Sequence, residues 1–329
     1  MALMTLIQSV NFQVPFGRWH LFEISDLEYV PSLVKHLCQN TLTAQWTKKL
    51  PIIQRQTPAE LAANAILDAL NTIEDIDSAQ WTIIDFCSGG GGPIPVIERH
   101  INRHRKLEGK QPIQFRLSDI VPNLDAWMAH ASRSDNLSFV PQPVDASFPP
   151  FSVISTTTPG DKQAAADQGL VSNGSKVFRL FCLSFHHFDD EQAKRVIKST
   201  LETSDAFAII ELQDRCVGSL ALMLLEYWLL FIISALWFWH NRLHLLLTYC
   251  IPVLPAIHCF DGFVSCLRTR TFAETMHLVE DVQGGKAAVR EDSQGRLRRG
   301  HWVFSHSRSL HTWPVGYMDF TFGKKIEGK

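Results

Sequence analysis

The run Asp85-Phe86-Cys87-Ser88-Gly89-Gly90-Gly91-Gly92-Pro93 is the richest in chemistry of the whole chain. It follows a short β-rich run, Trp81 to Phe86, and precedes a helical pattern with Ile94, Ile97 and Ile101 on one face. Glycine lets a backbone turn sharply and come close to a ligand, so strand, glycine loop and helix together make a nucleotide-type site. The dinucleotide pattern G-x-G-x-x-G fails, because its third place falls on Ile94 or Pro95. A phosphate loop fails too, for want of Gly-Lys followed by Ser or Thr. What fits is D-x-G-x-G-x-G, with Asp85, Gly89 and Gly91 in register and Cys87 standing where the first glycine belongs.

Two further acids fall after the next two strand-like runs. Asp119 ends Leu117-Ser118-Asp119, where a carboxylate accepts both hydroxyls of a ribose. It stands 34 residues after Asp85, and the polar excursion Arg103 to Gln111 absorbs the excess over a compact unit as a loop. Asp145, in Val144-Asp145-Ala146-Ser147, offers an acceptor where an adenine amino group would lie. After the fourth run, His186 and His187 supply imidazoles whose pKa suits proton removal. Asp261, Gly262, Ser265 and Arg268 form a second polar set, which either closes over a substrate or makes a tight turn with an Arg-Asp pair.

Positioning these groups takes an α/β scaffold. Thr57-Pro58-Ala59-Glu60 reads as a capping box that opens a helix over 58–70. Strands are expected at 81–86, 114–117, 137–140, 177–183 and 206–212, with helices at 124–131 and after the cap Asp189 between them, the rhythm of βαβ units. Two more strands, 302–307 and 315–322, are expected to form an antiparallel hairpin at a sheet edge. The division that follows is a helical cap over 1–75 and an α/β domain over 76–329, with a polar insertion at 149–175 and an apolar one at 217–260.

Composition narrows the options. With 31 basic and 33 acidic residues the formal charge is −2, and 46% of residues are apolar, so no electrostatic footprint for nucleic acid exists. The short basic runs 103–106 and 296–299 read as solvated loops. Seven scattered cysteines without a C-x-x-C pair, and no H-E-x-x-H, argue against disulfides and against a metal. No secretory signal is visible at the amino terminus, so a cytoplasmic setting, or the cytoplasmic face of a membrane, is expected. From Val217 to Trp239, 23 residues carry one charge, Glu226. That length would cross a bilayer, yet a single crossing would part the last two strands from their sheet; a re-entrant hairpin, an interfacial helix, an apolar lid or a buried core helix remain.

The blocks DFCSGGGGP (85–93), LSDIVPN (117–123), PVDAS (143–147), FCLSFHHFDDEQA (181–193) and PVLPAIHCFDGFVSCLRTRTFAE (252–274) resemble those of a bacterial and fungal group of class I S-adenosylmethionine-dependent methyltransferases. The resemblance covers most of the chain from Trp46 onward, and the polar insertion and Cys87 depart from it. It implies a Rossmann-like seven-stranded sheet with S-adenosyl-L-methionine across the carboxyl ends of its first strands. Asp85, Cys87, Ser88, Gly89, Gly90, Gly91, Asp119, Ile120, Asp145, Ala146 and Ser184 would then hold the cofactor, and His186, His187, Asp261 and Arg268 would serve catalysis. The apolar insertion suggests an apolar or lipid-like acceptor, methylated on oxygen. The rival readings are a non-catalytic, membrane-associated protein that keeps this fold, and an NAD-dependent oxidoreductase, which the failed dinucleotide pattern disfavours.

Overall fold

The computed structural model describes residues 11–154, 175–284, 290–291 and 295–326. Residues 155–174, the bulk of the expected polar insertion, lie outside them. In chain order the principal elements are helices α1 (Ser32–Thr47) and α2 (Pro58–Leu70), strand β1 (Trp81–Phe86), α3 (Ile94–Leu107), β2 (Gln114–Ser118), α4 (Leu124–Ala131), β3 (Leu137–Phe139), β4 (Lys176–Cys182), α5 (Asp190–Thr203), β5 (Ala206–Glu211), α6 (Val217–Trp237), α7 (Val253–Arg268), α8 (Phe272–Val282), β6 (Arg290–Glu291), β7 (Leu297–Arg299), β8 (Trp302–Thr312) and β9 (Gly316–Lys325). They divide into two compact units, an α/β unit of residues 59–210, 272–307 and 320–329, and a helical unit of residues 1–58, 211–271 and 308–319. Helix α2 therefore belongs with the strands, and the helical unit takes in the apolar segment as well as the amino-terminal residues.

One sheet runs in the order β3-β2-β1-β4-β5-β9-β8-β7-β6. The pairs β1–β2, β2–β3, β1–β4 and β4–β5 are parallel. The Lys325 N–H meets the Asp205 carbonyl at 2.8 Å, so β9 ends where β5 begins and runs against it. That order is Rossmann-like: strand sequence reverses between β1 and β4, and in open α/β sheets the crevice at the carboxyl ends beside such a reversal receives ligands. The hairpin expected at the edge lies inside the sheet instead, because β7 pairs antiparallel with β8 and β6 with β7. Two very short strands thus cover the edge that a long hairpin would have left open.

Burial explains why these runs became strands. All six side chains of β1 and all six of β5 are buried, as strands covered on both faces must be. Phe86, Phe181, Phe207, Val196 and Ile197 share one core cluster with Trp302 and Phe304. At Gly323 a Cβ would stand 2.4 Å from the Phe207 ring, so glycine makes room for that ring where β9 lies beside β5. The helix after β4 carries its expected cap: Asp189 Oδ1 accepts from the Gln192 N–H at 2.7 Å, while the Gln192 side chain accepts from the Asp189 N–H.

Both basic runs differ from expectation. Helix α3 continues to Leu107, and Arg105 is buried with its guanidinium on Asp77 at 2.9 Å and on the Gln111 carbonyl at 2.7 Å. Arg299 is buried in β7 and pairs with Glu280 at 2.7 Å. In each run one cation found a carboxylate and could leave water. The excess between Asp85 and Asp119 is therefore mostly the last turn of a helix, and a tight loop beyond it.

Candidate functional site at the carboxyl ends of β1 to β4

Loop 87–92 is knitted to the end of β2 at several points. Ser88 Oγ donates to the Asp85 carbonyl at 3.0 Å and accepts from the Ser118 N–H at 3.2 Å, and Ser118 Oγ donates to the same carbonyl at 2.8 Å. Asp119 then grips the loop from β2: its Oδ2 accepts from the Gly89 N–H at 2.8 Å and its Oδ1 from the Val121 N–H at 2.8 Å. Each carboxylate oxygen keeps a lone pair for a ligand hydroxyl. Burial raises the Asp119 carboxyl above its ordinary range, while those N–H groups and His187 act in the opposite direction. His187 is therefore within electrostatic reach of Asp119.

Backbone strain concentrates here. Gly89, Gly91 and Gly92 have φ of 50°, 97° and 46°, and Cys87 has φ 63°. The cysteine thus occupies the left-handed conformation for which glycine is the natural residue, at a cost of about 1–2 kcal/mol. Across the crevice Leu183, which follows β4, has φ 53°. Two strained side-chain-bearing residues at the ends of neighbouring strands mark a site whose backbone path is fixed by something other than stability. A Cβ on Gly91 would meet His130 Cδ2 at 3.0 Å.

The acids gather around Cys87. Burial, then the charges of Asp119, Asp85 and Asp145, push its thiol well above the ordinary value, so it is a poor nucleophile at neutral pH. Asp85 is 2% exposed, and its Oδ1 is buried without a hydrogen-bond partner, which raises its carboxyl strongly. Asp145 is exposed and accepts from the Ser147 N–H and hydroxyl, both at 2.7 Å, while the Val144 N–H bonds the Asp119 carbonyl at 2.8 Å and sets the two acid-bearing loops side by side. Ala146 is buried and its carbonyl accepts from Arg179 at 3.3 Å. Ile120 and Val121, 60% and 76% exposed, leave an apolar ledge beside Asp119.

On the β4 side Ser184 is buried with its hydroxyl 3.5 Å from the Phe86 carbonyl, and Gly90 lies in the loop opposite. His186 and His187 share a short helical turn, with ring centroids 4.3 Å apart; His186 is buried and His187 half-buried. The structure therefore brings Asp85, Cys87, the glycines, Asp119, Asp145 and the histidine turn to one end of the sheet.

Two residues of α4 were not singled out from sequence. Buried Trp127 donates its indole N–H to the Gly89 carbonyl at 2.9 Å, and His130 bonds the Gly90 carbonyl. Their i, i+3 spacing on a helix following β2 was the available signal. In β4, buried Arg179 lies 4.8 Å from the Phe86 ring and donates to Ser199 and Thr203 of α5, bracing the strand that carries the histidine turn.

Asp261 and Arg268 sit in the helical unit, on one continuous helix, α7, rather than at a turn. Asp261 Oδ1 accepts from the Ile24 N–H at 2.6 Å and Oδ2 from the Ser25 N–H at 3.0 Å. Arg268 reaches Glu23 and Asp26, each at 3.0 Å, and Ser265 Oγ donates to Glu23 at 3.0 Å. These are the contacts of a latch that holds the turn Ile24–Asp26 against α7.

No protein-family model matches the chain, and neither does any curated protein. Solved structures do resemble it. One is the plantazolicin methyltransferase BpumL in complex with a pentazolic desmethylPZN analog and SAH (TM-score 0.45, 10% identity, 90% of this chain and 100% of that one). Another is magnesium protoporphyrin IX methyltransferase (ChlM) from Synechocystis PCC 6803 with bound SAM (0.40, 8%, 90% and 96%). A third is LepI in complex with SAM (0.38, 12%), which matches 79% of this chain; the chain spans 46% of the length of LepI.

Proposed function

We propose that the chain is an S-adenosylmethionine-dependent methyltransferase, with the cofactor in the crevice at the carboxyl ends of β1, β2 and β4. One observation carries the reading: the glycine loop that follows β1, at the strand where the order reverses, is fastened through the Gly89 N–H to Asp119 at the end of the neighbouring β2. The residues fit the group. Asp119 suits ribose hydroxyls, the Ile120–Val121 ledge suits an adenine face, and Asp145 suits its amino group. The unpartnered Oδ1 of Asp85 suits a cationic ligand, which would favour the ionised carboxylate that burial opposes.

When bound, S-adenosylmethionine supplies an electrophilic methyl group on a sulfonium. The chain's own work is to align an acceptor, exclude water and remove a proton where the acceptor is a hydroxyl. His187, half-buried and within reach of the Asp119 charge, is the better placed of the pair to take that proton, and buried His186 stacks against it. A small apolar or lipid-like acceptor methylated on oxygen is the reading the apolar segment favours. Asp119 and Asp145, acids at the ribose and adenine positions, support an active enzyme over a non-catalytic protein of the same fold, and turnover separates the two.

Titration calorimetry of the purified chain with S-adenosylhomocysteine tests the cofactor. Micromolar one-site binding is expected, lost on Ile120→Lys, a change on an exposed ledge that leaves the fold intact. Silence of the folded protein, or preferential binding of NAD, overturns the reading.

A further inference from the structure

The apolar segment is not a core helix. In α6 the most apolar 18-residue stretch has a mean hydropathy of 2.0, yet only 22% of it is buried. Its inner side carries Leu230, Ile233 and Ser234 and packs on α7, where a Cβ on Gly262 would come within 2.6 Å of the Met223 sulfur, so glycine lets the two helices close up. On the outer side Leu225, Trp228, Ile232 and Leu236 recur every three to four residues, each 61–70% exposed. Trp239, Leu246, Tyr249 and Ile251 continue the exposed surface beyond the helix.

Charge is distributed with one sign. Glu226 is the only acid between 217 and 260, and its carboxyl is turned inward, accepting from Gln45 at 2.5 Å and lying 3.8 Å from His258 Nδ1. The charges at the surface are cations. Arg242 is exposed just past the helix, and Lys48 donates to the Trp237 carbonyl at 3.3 Å with its ammonium 5.5 Å from the Trp237 ring. The exposed stripe, with aromatic residues carrying N–H or O–H and cations at its end, suits the boundary between acyl chains and headgroups, while α7 rather than a charged face covers the inner side of the helix. A second copy that paired this same face with itself would bring the same cations and no exposed acid from 217–260 to meet them, whereas anionic headgroups supply the complement. Crossing is disfavoured because α7 and the buried Glu226–His258 pair occupy the other side.

We propose that the outer face of α6 lies in the surface of an anionic lipid bilayer, with Leu225, Trp228, Ile232 and Leu236 in the acyl boundary and Lys48 and Arg242 at headgroup level. This docking stands independently of the cofactor reading.

Co-sedimentation of the full chain with vesicles tests it, using phosphatidylcholine alone and phosphatidylcholine mixed with phosphatidylglycerol. The wild-type chain is expected to favour the mixed vesicles at least about tenfold, with about fivefold lost for each cation removed in Lys48→Ala and Arg242→Ala, and the preference lost in high salt. The triple variant Trp228→Ser, Ile232→Gln, Leu236→Gln is expected to lose binding to both vesicles at least about a hundredfold, with its circular dichroism and S-adenosylhomocysteine titration unchanged. Failure of the wild type to sediment with either vesicle overturns the proposal, as does wild-type binding by the triple variant. So does a wild-type dimer that the triple variant converts to a monomer while vesicles bind neither. Cofactor binding without lipid binding would remove the docking alone; the reverse would remove the cofactor reading alone.

Discussion

In the α/β unit every side chain of β1 is buried and the polar chemistry waits at the strand's end, whereas in α6 Leu225, Trp228, Ile232 and Leu236 are exposed and the one acid is turned in. The first arrangement is what a soluble sheet requires: its strands spend their apolar surface on the core and release the chain into a strained loop only where a ligand fits. The second inverts it. Apolar surface left in water costs about 25 cal/mol per Å², a cost that the proposed lipid docking would remove for the exposed tryptophan, isoleucine and leucines. A single chain thus holds one region shaped inward around a cleft and another shaped outward toward a surface.

Acid should separate the two regions most strongly. Burial holds His244, His258 and His311 of the helical unit at about 4 each. A histidine depressed in the fold resists protonation, so its contribution is full above its ordinary value of 6.5 and falls as pH drops toward 4. Glu226 in the same unit, raised to about 7, works the other way and gains as pH falls from 7 to 4.5, which leaves the three imidazoles ahead. In the α/β unit Asp85 and Asp119 are raised by burial, so acidification relieves them. Hydrogen exchange at pH 7 and pH 5 should therefore show protection lost in α6 and α7 and kept in β1 and β4; equal loss in both would break the contrast.

The cleft itself should respond next. Gly91→Val places a branched side chain at φ 97° and against His130, and should weaken S-adenosylhomocysteine at least about a hundredfold in calorimetry while the far-ultraviolet spectrum is retained. Trp127→Phe removes the donor on the Gly89 carbonyl; about 1–2 kcal/mol of stability and about tenfold in affinity should be lost, measured by thermal melting and the same titration. The smallest effect is Cys87→Gly, which releases the left-handed strain and should raise the melting temperature by an amount worth about 1 kcal/mol or less. A lower melting temperature would mean that the thiol's packing outweighs the strain.

Strand positions were legible because burial writes itself as uninterrupted β-rich runs: 81–86 is a strand over its full expected span, and helix 58–70 likewise. The gathering of the glycine loop, Asp119 and Asp145 at one end of the sheet was legible from their places after consecutive strands. What sequence concealed was long-range satisfaction. Arg105 and Arg299 look like surface charge until Asp77 and Glu280 are seen beside them, and Asp261 and Arg268 look like free chemistry until the turn at Ile24 is seen on α7. The hairpin's place inside the sheet was hidden for a related reason, since two and three residues suffice for β6 and β7 and leave no periodic pattern.

Hydrogen–deuterium exchange with and without S-adenosylhomocysteine tests most directly the proposal that the cofactor binds at the strand ends beside the β1–β4 reversal. Added protection is expected at 85–92, 117–121, 144–147 and 183–187, with α6 and α7 unchanged. Protection confined to the helical unit, or none anywhere in a folded chain, would contradict it.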